Sequence, residues 1–512
     1  MTLPSRVRLF QIAGFGFLLA CYALSSIEII DLTTSGADLG RHLKNGELLL
    51  SPAVPAGTVS KLLHTNFYSY SQPDFEFINH HWLSDIAFFL AWKSGGFAGL
   101  NAFYIFLGVL TFALFLRIAQ RAVGLWIAAA VALAVMPILR ARPSVRPEIF
   151  TLLLCGVFFW LLWKHHNGRV SWRWLLLLPV LEVLWVNLHL GFCLGPAFIA
   201  AFMLADLFAR PQRVTRWLGI LSLTLLATVI NPSGIRGAIY PLTVWSNYGL
   251  SVSENHSVPY CERQGYPGEY LLIKLTLIAL FLSFILAVSR SRLFPVALFV
   301  LAALTSALAW LAVRNQTLLA LFSVAAVAIN LDLAGVGKLS ARLRTSAVPV
   351  LGLIIAGGIC YNIWKLSERA ETIDLGLKPG TAAAAELLRD SRLEGPMLNN
   401  FNIGGYLIYY LFPQYRVFVD SRPEAYPSAF LQEKYIDPLH DEKTWVQLLD
   451  QYRFNVIFFS AASTWENAFV DRRLADPEWA SVFSDSATII LVRRTSANQS
   501  FILAHSPTST SK

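Results

Sequence analysis

Several short stretches of this 512-residue chain hold side chains whose types and spacing could do chemistry. Asp38, Arg41 and His42 stand at i, i+3 and i+4, so a helix starting near Asp38 gathers a carboxylate, a guanidinium and an imidazole within one turn. A carboxylate so placed could serve as general base toward a hydroxyl or amine acceptor. A structural reading competes on equal terms, because Ser35-Gly36-Ala37-Asp38 ahead of a helix also suits an N-cap. Asp31 is a weaker candidate, standing where a first apolar run simply ends.

Asn79-His80-His81-Trp82 opens a second helix, and its side chains would gather at a helix N-terminus, where anions are also favoured. The histidines could bind a divalent cation such as Mg or Mn, with Asp38 and His81 as metal candidates, or hydrogen-bond a sugar. Two adjacent histidines are not ligand spacing on one helix face, and Trp82 also suits an interfacial anchor. Arg140, Arg142 and Arg146, followed by Glu148, form a cluster suited to bidentate phosphate binding, with lipid headgroups as the alternative partner. Trp185, Asn187 and His189 share the end of one helix and the start of a tight turn, a costly position unless it lines a pocket. Asn231, Glu254, His256 and Arg314 join them with weaker individual claims, and Asn231-Pro232-Ser233-Gly234 also reads as a helix-ending turn.

The elements that must position these groups follow from composition. With 55% hydrophobic and 14% charged residues and a mean hydropathy of +0.53, the chain cannot hide its apolar segments in one soluble core. It reads as a polytopic membrane protein. The formal net charge of +9 follows topology, not nucleic acid, because much of the Lys and Arg sits in short loops between apolar runs. Five cysteines without C-x-x-C spacing indicate neither a disulfide framework nor a zinc site. Leu18-Leu19-Ala20-Cys21 faintly resembles a lipoprotein cleavage box, whose use would delete the helix leading into the polar stretch.

The basic start MTLPSRVR and the run from about Leu9 to Ile30 predict a first crossing with its N-terminus in the cytoplasm. Residues 31–95 then form an outer loop with two interfacial helices, from Asp38 to Leu50 and from about His81 to Lys93, the second ended by Gly95-Gly96. Further apolar runs follow at about 97–116, 122–138, 148–163, 173–188, 191–208, 217–230, 269–288, 293–311, 315–332 and 347–365, giving about eleven crossings. Every loop this count assigns to the cytoplasm is basic, while nearly all the unusual polar residues fall on the other side. Residues 1–366 thus make a transmembrane domain and 367–495 an outer α/β domain with strands expected at PMLNN, YRVFVD, NVIFFS and TIILVRR; residues 496–512 read as a disordered tail. Neither a P-loop nor a GxGxxG fingerprint is present, which weakens a nucleotide-driven pump.

A first helix, a long outer loop with Asp38 at the start of an interfacial helix, a second interfacial helix opened by Asn79-His80-His81 and a bundle of further helices resemble the GT-C superfamily of integral membrane glycosyltransferases, in particular bacterial members of the protein O-mannosyltransferase and Rgt-like type; Asp38-Leu39-Gly40-Arg41-His42-Leu43-Lys44-Asn45-Gly46, Asn79 to Leu83, Arg146-Pro147, Trp185 to His189, Asn231 to Gly234, Gly404 to Leu407 and Asp420 to Arg422 also resemble a set of bacterial proteins classed largely as transferases. The resemblance implies a GT-C-like helix bundle, a polyprenyl-phosphate sugar donor, transfer on the extracytoplasmic side of a bacterial plasma membrane, and a carboxylate base at Asp38. Leu39 stands where better-studied members often carry a second acid, and Asn79-His80-His81 replaces a His-Pro-Pro.

The expected function is therefore a hexosyl- or pentosyltransferase acting on a glycan, lipid or protein of the cell envelope. His42, Asn79, His80, His81, Arg142, Arg146, Glu148, Asn187, His189, Asn231, Glu254 and Arg314 would contact substrate. Two rivals come from other classes. A lipid-linked-glycan transporter would need polar residues through the depth of the bundle, where this chain is almost entirely apolar. A non-catalytic membrane scaffold would bind a partner through the outer domain, using Tyr406, Asp420, Arg422 and Tyr426, which could equally dock that domain onto the membrane part.

Overall fold

The computed structural model describes residues 3–34, 38–141, 144–336, 341–391, 393–461 and 466–505. The apolar runs become α1 (Leu3–Ser25), α4 (Trp82–Val123), α5 (Leu125–Leu139), α6 (Glu148–His166), α7 (Trp172–Leu175), α8 (Leu177–Leu188), α9 (Leu194–Ala209), α10 (Val214–Ala227), α13 (Tyr270–Ser291), α14 (Val296–Leu311), α15 (Gln316–Leu333) and α16 (Ala341–Ser367). The outer loops carry α2 (Leu39–Leu50), α3 (Thr58–His64), α11 (Gly234–Thr243) and α12 (Val258–Arg263).

Among the described residues, five helices are long and apolar enough to cross a membrane, and three shorter apolar ones join them, so the chain is a multi-pass membrane protein. At 12 and 14 residues, α8 and α10 span only about 18–21 Å each, less than a hydrocarbon core. The two crossings expected there are short helices. α15 lies at the centre of the bundle, against α4, α5, α13 and α14.

α4 contains both helices foreseen on either side of Gly95-Gly96. The backbone leaves helical geometry at Gly95, and Gly96 takes a φ of 61°, a left-handed conformation that a side chain would resist. An interfacial arm is thereby hinged onto a membrane-crossing one.

α2 departs from expectation. Leu39 and Leu43 are buried as the helical spacing requires, but Arg41, His42 and Asn45 on the opposite face are buried too. The helix is wedged between the arm of α4 and α18 (Gly404–Leu411) of the outer domain. A Cβ at Gly40 would overlap the Gly405 carbonyl, and one at Gly46 the Asp85 carbonyl. Polar groups can be buried there because α4 supplies them with a partner, Asp85.

The outer domain holds α17 (Ala383–Asp390), α18, α19 (Glu442–Tyr452), α20 (Asn467–Ala475) and four strands, β1 (Met397–Asn399), β2 (Val456–Ser460), β3 (Trp479–Ser484) and β4 (Thr488–Arg493). The sheet order is β1-β2-β4-β3. β1 runs parallel to β2 with Leu398 opposite Ile457, and β4 runs antiparallel to both of its neighbours. YRVFVD is not one of these strands. Its Val417 instead exchanges backbone hydrogen bonds with Tyr68 and Tyr70 of the first outer loop, so this segment is a seam between domains. The tail expectation is also corrected in part: Gln499–His505 is a helix, α21, that buries Ile502 against β3. Residues 506–512 lie outside the described residues.

The two domains share one apolar core. Ile30, Leu39, Tyr68, Phe88 and Leu107 of the membrane part pack in the same cluster as Ile403, Tyr406, Val456 and Phe458.

Candidate active site

Asp38 occupies the N-cap position of α2 but caps nothing. Its backbone is already helical (φ −81°, ψ −27°) and its side chain bonds none of the free N–H groups. The Ser421 hydroxyl of the outer domain donates to Asp38 Oδ1 at 2.5 Å, and Arg41 Nη2 stands 3.5 Å from the same oxygen. The capping alternative therefore falls. Burial pushes the Asp38 carboxyl upward, but the charges of Arg41, Arg146 and His42 and the Ser421 hydroxyl outweigh it, holding the carboxyl below its ordinary value. Arg41 is itself buried, and its Nε and Nη1 have no hydrogen-bond partner among the described residues.

Behind Asp38 lies a second carboxylate that the sequence reading missed. Asp85, fully buried on the first turn of α4, meets His42 Nδ1 at 2.5 Å and accepts from Asn45 Nδ2 at 2.8 Å and Asn79 Nδ2 at 3.1 Å. The Tyr68 hydroxyl donates in turn to Asn45 Oδ1 at 2.7 Å. Asp85 thus fixes the orientation of the His42 ring and ties α2 to α4. A signal existed: it is the acid in the otherwise apolar first turns of α4, one helical turn after His81.

Four imidazoles from three separate segments line up beside this network. The rings of His42 and His81 are 5.5 Å apart, those of His80 and His81 3.8 Å, and those of His81 and His189 5.4 Å. Burial draws His80 down to about 4 and holds His81 and His189 well below the usual imidazole range. Gly191 N–H donates to His189 Nδ1 at 3.0 Å, and the Thr151 hydroxyl, held by Trp185 Nε1, lies 2.8 Å from the same nitrogen. These bonds put the His189 proton on Nε2.

A pH prediction follows with a definite sign. The folded chain binds fewer protons than the unfolded one wherever pH lies between the depressed imidazole values and the unperturbed value near 6.5. Thermal stability is therefore expected to fall as pH drops from about 6.5 toward 4, and His80→Gln should shallow that slope in a Tm-against-pH series. An equally steep slope in the variant would remove His80 from the account.

The arginines divide. Arg146 Nη1 bonds Glu254 Oε2 at 2.7 Å, and Arg314 Nη1 lies 3.7 Å from Glu254 Oε1 while donating to Asn255 Oδ1 at 3.0 Å. Two guanidinium groups from distant loops thus meet on one carboxylate. Glu148 and Asp38 both act on the Arg146 charge, which places the pair beside the catalytic candidate. Arg140 turns away to the Asn362 carbonyl, 3.3 Å from Nη1, and Arg142 lies outside the described residues.

Asn187 and Asn231 are both engaged within the protein. Asn187 Oδ1 accepts from Trp82 Nε1 at 2.8 Å, and its amide holds the Val183 and Ile230 carbonyls. Asn231 bonds Thr228, Ser233 and Gly234 inside its own turn, in keeping with the helix-ending reading.

The outer domain contributes the docking residues expected from the sequence and one residue that was not expected, Ser421. Asp420 and Arg422 form a buried bidentate pair (2.7 and 2.6 Å), steadied by Asn66 at 2.8 Å and the Tyr426 hydroxyl at 3.3 Å. Ser421 between them reaches Asp38. Glu424 follows, its carboxyl raised by burial, and its charge acts on Tyr240 and Tyr248. For a metal the donor set does not fit: among the described residues no three His, Cys, Asp or Glu groups converge, and Asp38 and His42 are already engaged.

An apolar helix bundle, a hinged arm, an acid at the start of α2 and a C-terminal α/β domain make up the fold. Three solved structures share it. The archaeal oligosaccharyltransferase AglB from Archaeoglobus fulgidus, in complex with an inhibitory peptide and a dolichol-phosphate, is 12% identical over 95% of this chain and 74% of its own, with a TM-score of 0.59. The Archaeoglobus fulgidus oligosaccharyltransferase tethered to an acceptor peptide containing the NVT sequon is 11% identical over the same shares, also at 0.59. ArnT from Cupriavidus metallidurans, bound to undecaprenyl phosphate, is 13% identical over 97% of this chain and 99% of its own, at 0.50. No protein-family model matches the chain, and no curated protein matches its sequence. At these identities the likeness is one of fold.

Proposed function

We propose that this protein is an inverting glycosyltransferase that moves a sugar from a polyprenyl-phosphate-linked donor to an acceptor on the extracytoplasmic face of a bacterial plasma membrane. One observation carries the reading: an ionised carboxylate, Asp38, stands beside a buried arginine with unpartnered N–H groups and within electrostatic reach of the Arg146–Glu254–Arg314 cluster. That the same fold holds polyprenyl phosphates in AglB and ArnT supports it.

In this mechanism Asp38 takes the proton of the acceptor hydroxyl or amine as that atom bonds the anomeric carbon. The bond from that carbon to the phosphate oxygen breaks, and the phosphate leaves with the electron pair. Arg146, Arg314 and Arg41 stabilise its growing charge. Glu254 balances the first two guanidinium charges until the donor phosphate exchanges with it. Asp85 orients His42, and the neutral His80, His81 and His189 line the sugar site as hydrogen-bonding groups. The N-terminus would then face the cytoplasm and the α/β domain the acceptor.

The test is transfer of radiolabel from polyprenyl-phosphate-linked sugars by the purified chain. Arg146→Gln and Arg314→Gln are each expected to lower transfer about 10² to 10³-fold and to weaken donor binding. Donor binding unchanged in both variants would refute the phosphate assignment. No transfer from any donor, with a partner held by residues 380–495, would favour the scaffold.

A further inference from the structure

At the far end of α6 from the candidate active site, a polar cavity of about 510 Å³ is lined by His165, His166, Asn167, Trp172, Arg210 and Arg213. α6 starts two residues after Arg146 and runs for 19 residues, so the cavity lies roughly 28 Å along its axis from that site. The loop charge pattern puts it on the cytoplasmic face.

Its chemistry is that of an anion site with one further demand. Arg210 and Arg213 are partly exposed, and Asp206, the carboxylate nearest them, stands 4.0 and 3.8 Å away while accepting from Trp217 Nε1 at 2.9 Å. Both guanidinium groups therefore keep N–H groups for an occupant. His165 is 95% buried (5% exposed), its Nδ1 bonds the Val170 carbonyl at 3.0 Å, and its Nε2 has no partner among the described residues. With the proton on Nδ1, Nε2 accepts. The fitting ligand thus carries a phosphate for the arginines and a nearby hydroxyl for His165.

The surroundings indicate where such a ligand comes from. Trp174, Leu176, Leu207 and Phe208 are exposed large apolar side chains on the elements that frame the cavity. They are lipid-facing, so the opening lies where the apolar belt ends. We infer that this cavity binds the headgroup of an anionic, hydroxyl-bearing phospholipid of the phosphatidylglycerol class from the inner leaflet, the phosphodiester on Arg210 and Arg213 and a headgroup hydroxyl on His165 Nε2.

Native mass spectrometry of the detergent-purified full chain, with Tm measured in parallel, tests this with phosphatidylglycerol, phosphatidylcholine and inorganic phosphate as probes. Phosphatidylglycerol should be retained about 30-fold better than phosphatidylcholine, the preference two arginines give at a membrane surface. Arg210→Gln/Arg213→Gln should abolish the preference, and Arg210→Lys/Arg213→Lys should keep most of it. Arg290→Gln/Arg292→Gln, on the same face outside the cavity, should leave it intact. If the double Gln variant does not fold, Arg210→Gln alone, the more exposed of the pair, must cut the preference several-fold. The site is overturned if wild type shows no preference, if the Gln variants keep it, or if the control variant loses as much. If inorganic phosphate at millimolar concentration displaces the lipid and raises Tm equally, the ligand is a soluble phosphate and the lipid assignment fails.

Discussion

Asp38→Asn is expected to lower sugar transfer by about 10² to 10⁴-fold, the usual worth of a positioned general base. The amide keeps the size of the carboxylate and can still accept from Ser421, so folding and donor binding should survive. Transfer at the wild-type rate by a folded Asp38→Asn chain would remove the base from the mechanism. The pH profile offers an independent readout. A carboxyl held below its ordinary value stays ionised well into the acid range, so the acid limb belonging to Asp38 should fall below about pH 4. Arg41→Gln removes the nearest positive charge and should move that limb upward. The stability that the ionised Asp38 contributes has the same sense: present above the unfolded value, it is lost as pH falls through the folded one.

Arg422→Ala should be the most destabilising single change at the junction of the domains. Asp420 is fully buried and would keep only the Tyr426 hydroxyl and its own backbone contacts once the bidentate partner is gone. Breaking a buried pair from one side costs about 3 to 5 kcal/mol. Asn66 and the face of Phe77 would lose the same guanidinium. Because Ser421 sits between the paired residues, transfer should drop together with thermal stability. Removing both charges at once, as Asp420→Asn/Arg422→Met, should cost less than Arg422→Ala alone. Equal Tm values for wild type and Arg422→Ala would mean that the pair contributes nothing to docking.

What could be read in advance follows from how local the signal is. Each apolar run marks a helix because burial in lipid or core requires a continuous apolar face, and the Gly95-Gly96 hinge is written in two adjacent residues. Asp38 was legible as a candidate, but its own neighbourhood could not separate a base from a cap. The residue that decides the question, Ser421, lies 383 positions away. Asp85 escaped notice because one acid among apolar helix residues looks incidental until His42, Asn45 and Asn79 are seen to converge on it. YRVFVD has the composition of a strand, yet its backbone partners are in the first outer loop. Tertiary pairing overrode a correct local propensity. Asn187 and Asn231, whose polar type suggested contact with substrate, spend their amide N–H groups on backbone carbonyls.

The bond between Asp38 and Ser421 also sets an order of events during synthesis. α2 is synthesised when less than a tenth of the chain exists, whereas Ser421 follows the described bundle helices α1 to α16. A nascent polypeptide that ends before Ser421 therefore carries Asp38 without the hydroxyl that bonds it. Completion of the last domain is the moment at which the pocket becomes whole.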